Sequence, residues 1–206
     1  MRKIWLLVRS GIVSILILGG IHGTATAQTV PASLQPTDAD HVLGNKDAPI
    51  TIVEYASLTC SACAAFHNQM LPQLKTRYID AGKLKLVYRD FPLDRVAVQA
   101  AQLAECVDRD RYFAVVATIF QTQASWIAAK DPLADLQKLM RLAGLGEPQA
   151  KACLADQKGL EAILMERQGG TALGVDSTPT IFVNGQRYDG PRTLQAFDEL
   201  FARLIK

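Results

Sequence analysis

The sequence lacks most of the features that announce a function from composition alone. Its 206 residues hold 22 Lys and Arg against 20 Asp and Glu, a formal +2. That balance offers no basic field of the kind that binds nucleic acid. Aromatic residues are 7% of the chain, with 14 Gly and 9 Pro and no internal repeat, which excludes collagen-like, low-complexity and wholly disordered chains. There is no Met-rich or His-rich tract to collect a soft metal. Four Cys are too few for a small fold held together by disulfides. No apolar run reaches the roughly 20 residues needed to span a bilayer. What is present is a 49% hydrophobic chain, long enough for one domain carrying an insertion around a substantial core.

The first residues follow a different rule. Arg2 and Lys3 precede an apolar stretch from Ile12 to Ile21, and Ala25-Thr26-Ala27 follows. A basic start, a short apolar region and a small-x-small site describe a secretory signal peptide cut before Gln28. Arg9 interrupts the apolar stretch, which argues against an uncleaved anchor. Residues 1–27 carry three basic residues and no acidic one, so the mature chain would hold 22 − 3 = 19 basic against 20 acidic, or −1. With no Cys at the cut for lipid attachment, the expected location is a bacterial periplasm. Disulfides are stable or chemically usable there.

Further along, residues 28–41 are polar with no hydrophobic period and read as a short tether. Ile50 to Tyr55 is a β-branched strand holding one unexpected charge, Glu54. A helical period follows from Cys60 to about Ile79, and Pro72 predicts a kink or break near Asn68. Leu84 to Phe91 is a second strand, closed by Pro92. A long Ala-rich region then reads as helices divided near residues 108–111, 125–131 and 144–148, with Asp131-Pro132 as an N-cap followed by Pro. Thr180 to Val183 is a third strand, Asn184-Gly185 a hairpin turn, and 193–205 a last helix. The order fits an α/β core interrupted by helices.

The chemistry concentrates at Cys60-Ser61-Ala62-Cys63, which follows the first strand and opens a helix. Cys60 meets free N–H groups and the positive end of the helix dipole, both of which favour a thiolate. It is the expected nucleophile, and Cys63, one turn deeper, the resolving thiol. A substrate thiolate would attack the Cys60 sulfur, and a second substrate thiol would then displace Cys60 and leave the pair reduced. A static disulfide and half of a zinc site with Cys106 and Cys153 are the competing readings, but zinc sites usually show two close pairs. Pro179, in Ser177-Thr178-Pro179-Thr180, removes a ladder donor at a strand entrance. A cis bond there would leave the preceding backbone free to pair with an extended substrate.

Together these segments resemble the DsbA-like thiol–disulfide oxidoreductases of the thioredoxin superfamily. Further likenesses are Gly44 through Pro49, Arg89-Asp90-Phe91-Pro92-Leu93 and Gly174 through Thr180. The resemblance covers about residues 42–206 and implies a thioredoxin fold with an inserted α-helical domain. Residues 42–95 and 174–206 would form the thioredoxin-like part and 96–173 the insertion. It implies a cis bond at Pro179, a substrate groove at Thr178 and Pro179, and reoxidation by a quinone-linked membrane oxidase. No cofactor or metal is called for, since the dithiol carries both electrons. The implied activity is introduction of disulfides into exported proteins, with an isomerase or reductase, or a copper(I)-binding protein, as alternatives. Isomerases of the family use oligomerisation segments before the core, and only residues 28–41 are available, so a monomer is expected.

Glu54 occupies a position where many relatives carry a buried acid. An ionised carboxylate is costly to bury in such a strand, and the expected role is to accept or supply the Cys63 proton. His67 lies seven residues after Cys60 and reads as a surface or groove residue rather than a catalytic one. Tyr112, Phe113, Phe120 and Trp126 read as packing, and residues 105–111 as a solvated helix end. Cys106 and Cys153 are expected to pair as a structural disulfide in an oxidising compartment, with free buried thiols or a second redox centre as alternatives. The sequence departs from the strongest oxidants at Ser61-Ala62, which bring no positive charge where those relatives have a His. A weaker oxidant is therefore expected.

Overall fold

The computed structural model describes residues 30–205. The signal-peptide reading of residues 1–27, and the first two residues of the tether, lie outside them. A five-stranded sheet has the order β1-β3-β2-β4-β5. Strand β2 (Ile50–Ala56) runs parallel to β3 (Leu84–Asp90), with Ile50 opposite Leu84 and Ala56 opposite Asp90. A parallel pair needs a crossover, and the helical residues 61–79 supply it. Strand β4 (Thr180–Val183) is antiparallel to β2, while β1 (His41–Leu43) and β5 (Gln186–Arg187) pair along the two outer edges. Strand β5 completes the hairpin expected at Asn184-Gly185, whereas β1 is too short to show a period, which is why the sequence did not reveal it.

Strand β2 is buried on both faces. Ile50 and Ile52 pack with Phe66, Leu74, Leu84, Leu86, Phe197 and Phe201, while Val53 and Tyr55 face Leu34, Val87, Phe91 and Val175. Alternation along the strand therefore puts Glu54 on the Ile50 and Ile52 side, facing the crossover helix. That helix consists of α1 (Ser61–Ala65), a wide π turn at Phe66–Met70, α2 (Leu71–Leu74) and a second π turn at Lys75–Ile79. The kink or break expected near Asn68 takes the form of the π turn at Phe66–Met70. The π turn, in which Leu71 N–H reaches back to Phe66 O, accommodates Pro72 without ending the helix.

The inserted helices are α3 (Arg95–Glu105), α4 (Tyr112–Gln121), α5 (Gln123–Ile127), α6 (Pro132–Leu142), α7 (Glu147–Ala155) and α8 (Gln157–Ala172). Asp94 and Asp131 cap α3 and α6 by accepting from Ala97 N–H at 2.8 Å and Ala134 N–H at 3.0 Å. The core of the insertion joins Ala100, Leu103, Val116, Ile119, Phe120, Trp126, Leu136 and Met140 to Ala56, Leu58 and Cys63 of the sheet and active-site helix. Helix α8 lies so close to the sheet that a Cβ on Gly170 would stand 2.8 Å from the Tyr55 ring. The last helix, α9 (Leu194–Leu204), covers the opposite face with Phe197 and Phe201.

The described part of the expected tether is docked. Leu34 is buried in the sheet, and Arg89 donates to Ser33 O at 2.6 Å, Gln35 O at 3.2 Å, Tyr55 OH at 3.0 Å and both carboxylate oxygens of Asp40. Arg109 adds a bond to Asp40 O at 2.6 Å, and Glu105 meets His41 Nε2 at 2.9 Å. The charged residues from Glu105 to Arg111 are exposed, as expected of a solvated helix end, and two of them, Glu105 and Arg109, also hold the N-terminal segment. The docking is made through main-chain carbonyls, the polar side chains of Asp40 and His41 and the single buried Leu34, which leave no hydrophobic period to read.

Candidate active site

The end of β2 delivers the chain through Ser57 and Thr59 to Cys60, which caps α1. Its Sγ accepts from Cys63 N–H at 3.4 Å. On the other side the Cys60 thiol donates to Thr178 O at 3.2 Å, and the Thr178–Pro179 bond is cis. Pro179 is buried, and Arg192 donates to its carbonyl at 2.7 Å. Cys60, Cys63, Thr178 and Pro179 are therefore brought together although 118 positions separate Cys60 from Thr178.

Both cysteines of the motif are free, and their surroundings split them. Cys60 is half-buried, and its thiol is lowered to about 5. The largest cause is the hydrogen bond from the Cys63 thiol; burial opposes it, and the Thr178 side chain and the N–H groups of Cys63 and Ala62 add to it. Cys63 is fully buried, and burial pushes its thiol far above the usual range, helped by its bond to Cys60 and by the charge of Glu54. At neutral pH the pair is a thiolate facing solvent and a thiol facing the core. Ser61 and Ala62 are exposed, and the dipeptide contributes only a backbone N–H.

Glu54 is completely buried, and its Oε2 lies 2.9 Å from His67 Nε2. His67 is therefore not a surface or groove residue: its side chain is 2% exposed. The position was missed because its meaning depends on an acid on another element. Gln123 was missed altogether. From α5 its Nε2 donates to Leu58 O at 2.8 Å and Cys60 O at 3.0 Å, holding the active-site turn from the insertion side. Asn68 returns the contact by donating to Phe120 O at 3.1 Å. Asp94, besides capping α3, accepts from Thr59 Oγ1 at 2.7 Å. Nothing in the local sequence marks any of these partners. Cys106 at the end of α3 and Cys153 on α7 are joined, with Cα atoms 6.1 Å apart.

A dithiol at a helix start, set on a mixed sheet beside a cis-Pro loop and covered by inserted helices, is the arrangement of a thioredoxin-type protein. A family model described as thioredoxin matches residues 36–202. Alpha-DsbA1 of Wolbachia pipientis is 31% identical, with a TM-score of 0.77 over 83% of this chain and 93% of that one. BdbD of Bacillus subtilis, 20% identical with a TM-score of 0.70 over 86% of this chain and 98% of that one, shares the fold. The chain belongs to the DsbA-like thiol–disulfide oxidoreductase family of the thioredoxin superfamily. A Rickettsia bellii protein named as a protein-disulfide oxidoreductase is 33% identical over 160 residues, which are 77% of this chain and 62% of that protein. The match thus spans less than two thirds of that relative's length.

Proposed function

We propose that the protein oxidises pairs of thiols in exported proteins by giving up its Cys60–Cys63 disulfide. The observation that carries this reading is the division of the pair into a thiolate at Cys60, with its thiol near 5, and a buried thiol at Cys63. A stabilised thiolate makes the reduced protein the favoured product, so its disulfide is readily surrendered. The substrate thiolate attacks Cys60 Sγ, the half-buried sulfur, and the Cys60–Cys63 bond breaks. Cys63 takes up a proton, because a thiolate in its buried position is strongly disfavoured. A second substrate thiolate then attacks the substrate sulfur of the mixed disulfide, and Cys60 leaves as the stable thiolate. Two electrons pass from two substrate thiols to the protein pair, and no cofactor is required.

The leader pattern of residues 1–27 supports action in the periplasm, and a quinone-linked membrane oxidase suits the reoxidation step. A monomer suits a protein that meets each unfolded substrate once. Oxidative refolding of a reduced model protein, set beside metal analysis of the reduced enzyme, tests the reading. Catalysed recovery of native disulfides by the wild-type chain, lost in Cys60→Ser, is the expected result. Stoichiometric copper(I) without refolding activity would replace it with a metal-carrier function.

A further inference from the structure

The floor of the site holds a polar pair with one loose end. Glu54 Oε2 is tied to His67 Nε2 at 2.9 Å, and the side chains are 0% and 2% exposed. The other oxygen, Oε1, is buried and has no hydrogen-bond partner among the described residues. Such an atom is costly to keep unless it is used. The imidazole is held in place by aromatic rings, with the Phe120 ring centred 4.3 Å away and Tyr88 and Phe66 at 5.8 Å each. A 2.9 Å contact between these atoms places one proton between Nε2 and Oε2. Oε1 is then the carboxyl oxygen left open to a second proton. Cys63, whose thiol feels the Glu54 charge, must gain a proton when it leaves Cys60 and lose one before it attacks.

Resting on the oxidoreductase reading above, we infer that His67 is a positioning residue: it holds Glu54 by Oε2 so that Oε1 exchanges the proton of Cys63. During reoxidation, a partner sulfur is bonded to Cys60. The Cys63 proton passes to Glu54 Oε1 by way of one water, since the two groups make no direct hydrogen bond, and the Cys63 sulfur attacks Cys60 Sγ. The Cys60–partner bond breaks, and the partner leaves as a thiolate with the electron pair. When substrate reduces the enzyme the same proton returns to Cys63. The titratable groups around the pair are Cys60 and Cys63 on the active-site helix, Tyr88 and Asp90 on β3, Tyr112 on α4 and Glu166 on α8. The last three lie beyond the Tyr88 ring and interact with that tyrosine or with one another.

The test follows the reduced full chain reacting with glutathione disulfide. Formation of the Cys60–glutathione adduct and its displacement by Cys63 are measured separately across the neutral pH range. His67→Leu is expected to slow the second step about tenfold and to move its pH midpoint by about one unit, with the first step unchanged. His67→Gln, which retains an N–H donor, restores most of the rate. In a Glu54→Gln background, His67→Leu adds no further slowing, because it acts through Glu54. Should Leu not be tolerated at this buried position, His67→Asn, polar but too short to reach Oε2, carries the same expectations. An unmoved pH profile, or equal slowing with and without Glu54, overturns the inference. A wild-type chain that forms no glutathione adduct at Cys60 would instead overturn the oxidoreductase reading on which it rests.

Discussion

The molecule carries two pairs of cysteines, and they teach opposite lessons about what makes sulfur reactive. Cys106 and Cys153, 47 positions apart, join the end of α3 to α7. Cys60 and Cys63 sit at the mouth of the sheet, one beside the cis-Pro loop and the other in the core. The first pair ties two inserted helices to each other. The second is made unequal: hydrogen bonds gather on Cys60, while burial and the charge of Glu54 hold the proton on Cys63. Reactivity here comes from the difference between two neighbouring environments, more than from either thiol alone.

The sharpest way to break that contrast is Cys63→Ala. Turnover should vanish, and reaction with glutathione disulfide should leave a lasting Cys60–glutathione adduct that no second sulfur displaces, seen by mass spectrometry. The Cys60 thiol also loses its largest stabiliser, so its titration, followed by thiolate absorbance, should climb from about 5 toward the ordinary thiol value by roughly two units. Removing the other pair should do the reverse. Cys106→Ala with Cys153→Ala opens a closed loop spanning 47 positions and should lower stability by about 4 kcal/mol on the chain-entropy account. Denaturant unfolding measures that loss, and the Cys60 titration should stay where it was.

A third change probes whether the insertion sets the reactive pair's chemistry at a distance. Glu166 on α8 accepts from Asp90 N–H at 2.5 Å, and burial raises its carboxyl to about 7. The folded chain therefore holds this proton more tightly than the unfolded chain does. The resulting stability is complete below the ordinary Glu value and is lost as pH rises through about 7. Glu166→Gln should remove that decline, worth up to about 3 kcal/mol between the two values, in melting curves taken across this window. The Cys60 titration should not move, because none of the groups that set it lies on α8. The smallest expected effect comes from Ala62→His, which places a cation beside Cys60. Each unit by which the thiolate is favoured should raise the reduction potential by about 30 mV.

How much of this could be read beforehand follows from where the partners of each residue lie. The β2 run, the Cys60-Ser61-Ala62-Cys63 turn and Thr178-Pro179 carry their meaning within a few neighbouring residues, so the fold class and its centre were legible. His67 was misjudged because its partner, Glu54, is 13 positions away on a strand whose facing direction only the sheet reveals. Gln123 gave no sign at all, since it reaches two main-chain carbonyls more than 60 positions back. The docked segment before β1 was hidden for a related reason. Arg89 holds it by backbone oxygens and Asp40, so polarity there signals attachment where it had suggested a tether. Pro72, by contrast, carried its meaning locally: the irregularity it predicts near Asn68 is the π turn at Phe66–Met70.

The claim that Cys60 and Cys63 form an unequal pair, poised to oxidise, is tested most directly by their reduction potential, measured by equilibration with glutathione. A Cys60 thiol near 5, with no charge from Ser61 or Ala62, predicts a value between roughly −270 mV, that of thioredoxin, and roughly −120 mV, that of the family's strong oxidant DsbA. A potential at or below the thioredoxin value would make the protein a reductant and contradict the account. One as high as that of DsbA would show that the missing charge between the cysteines does not weaken the oxidant.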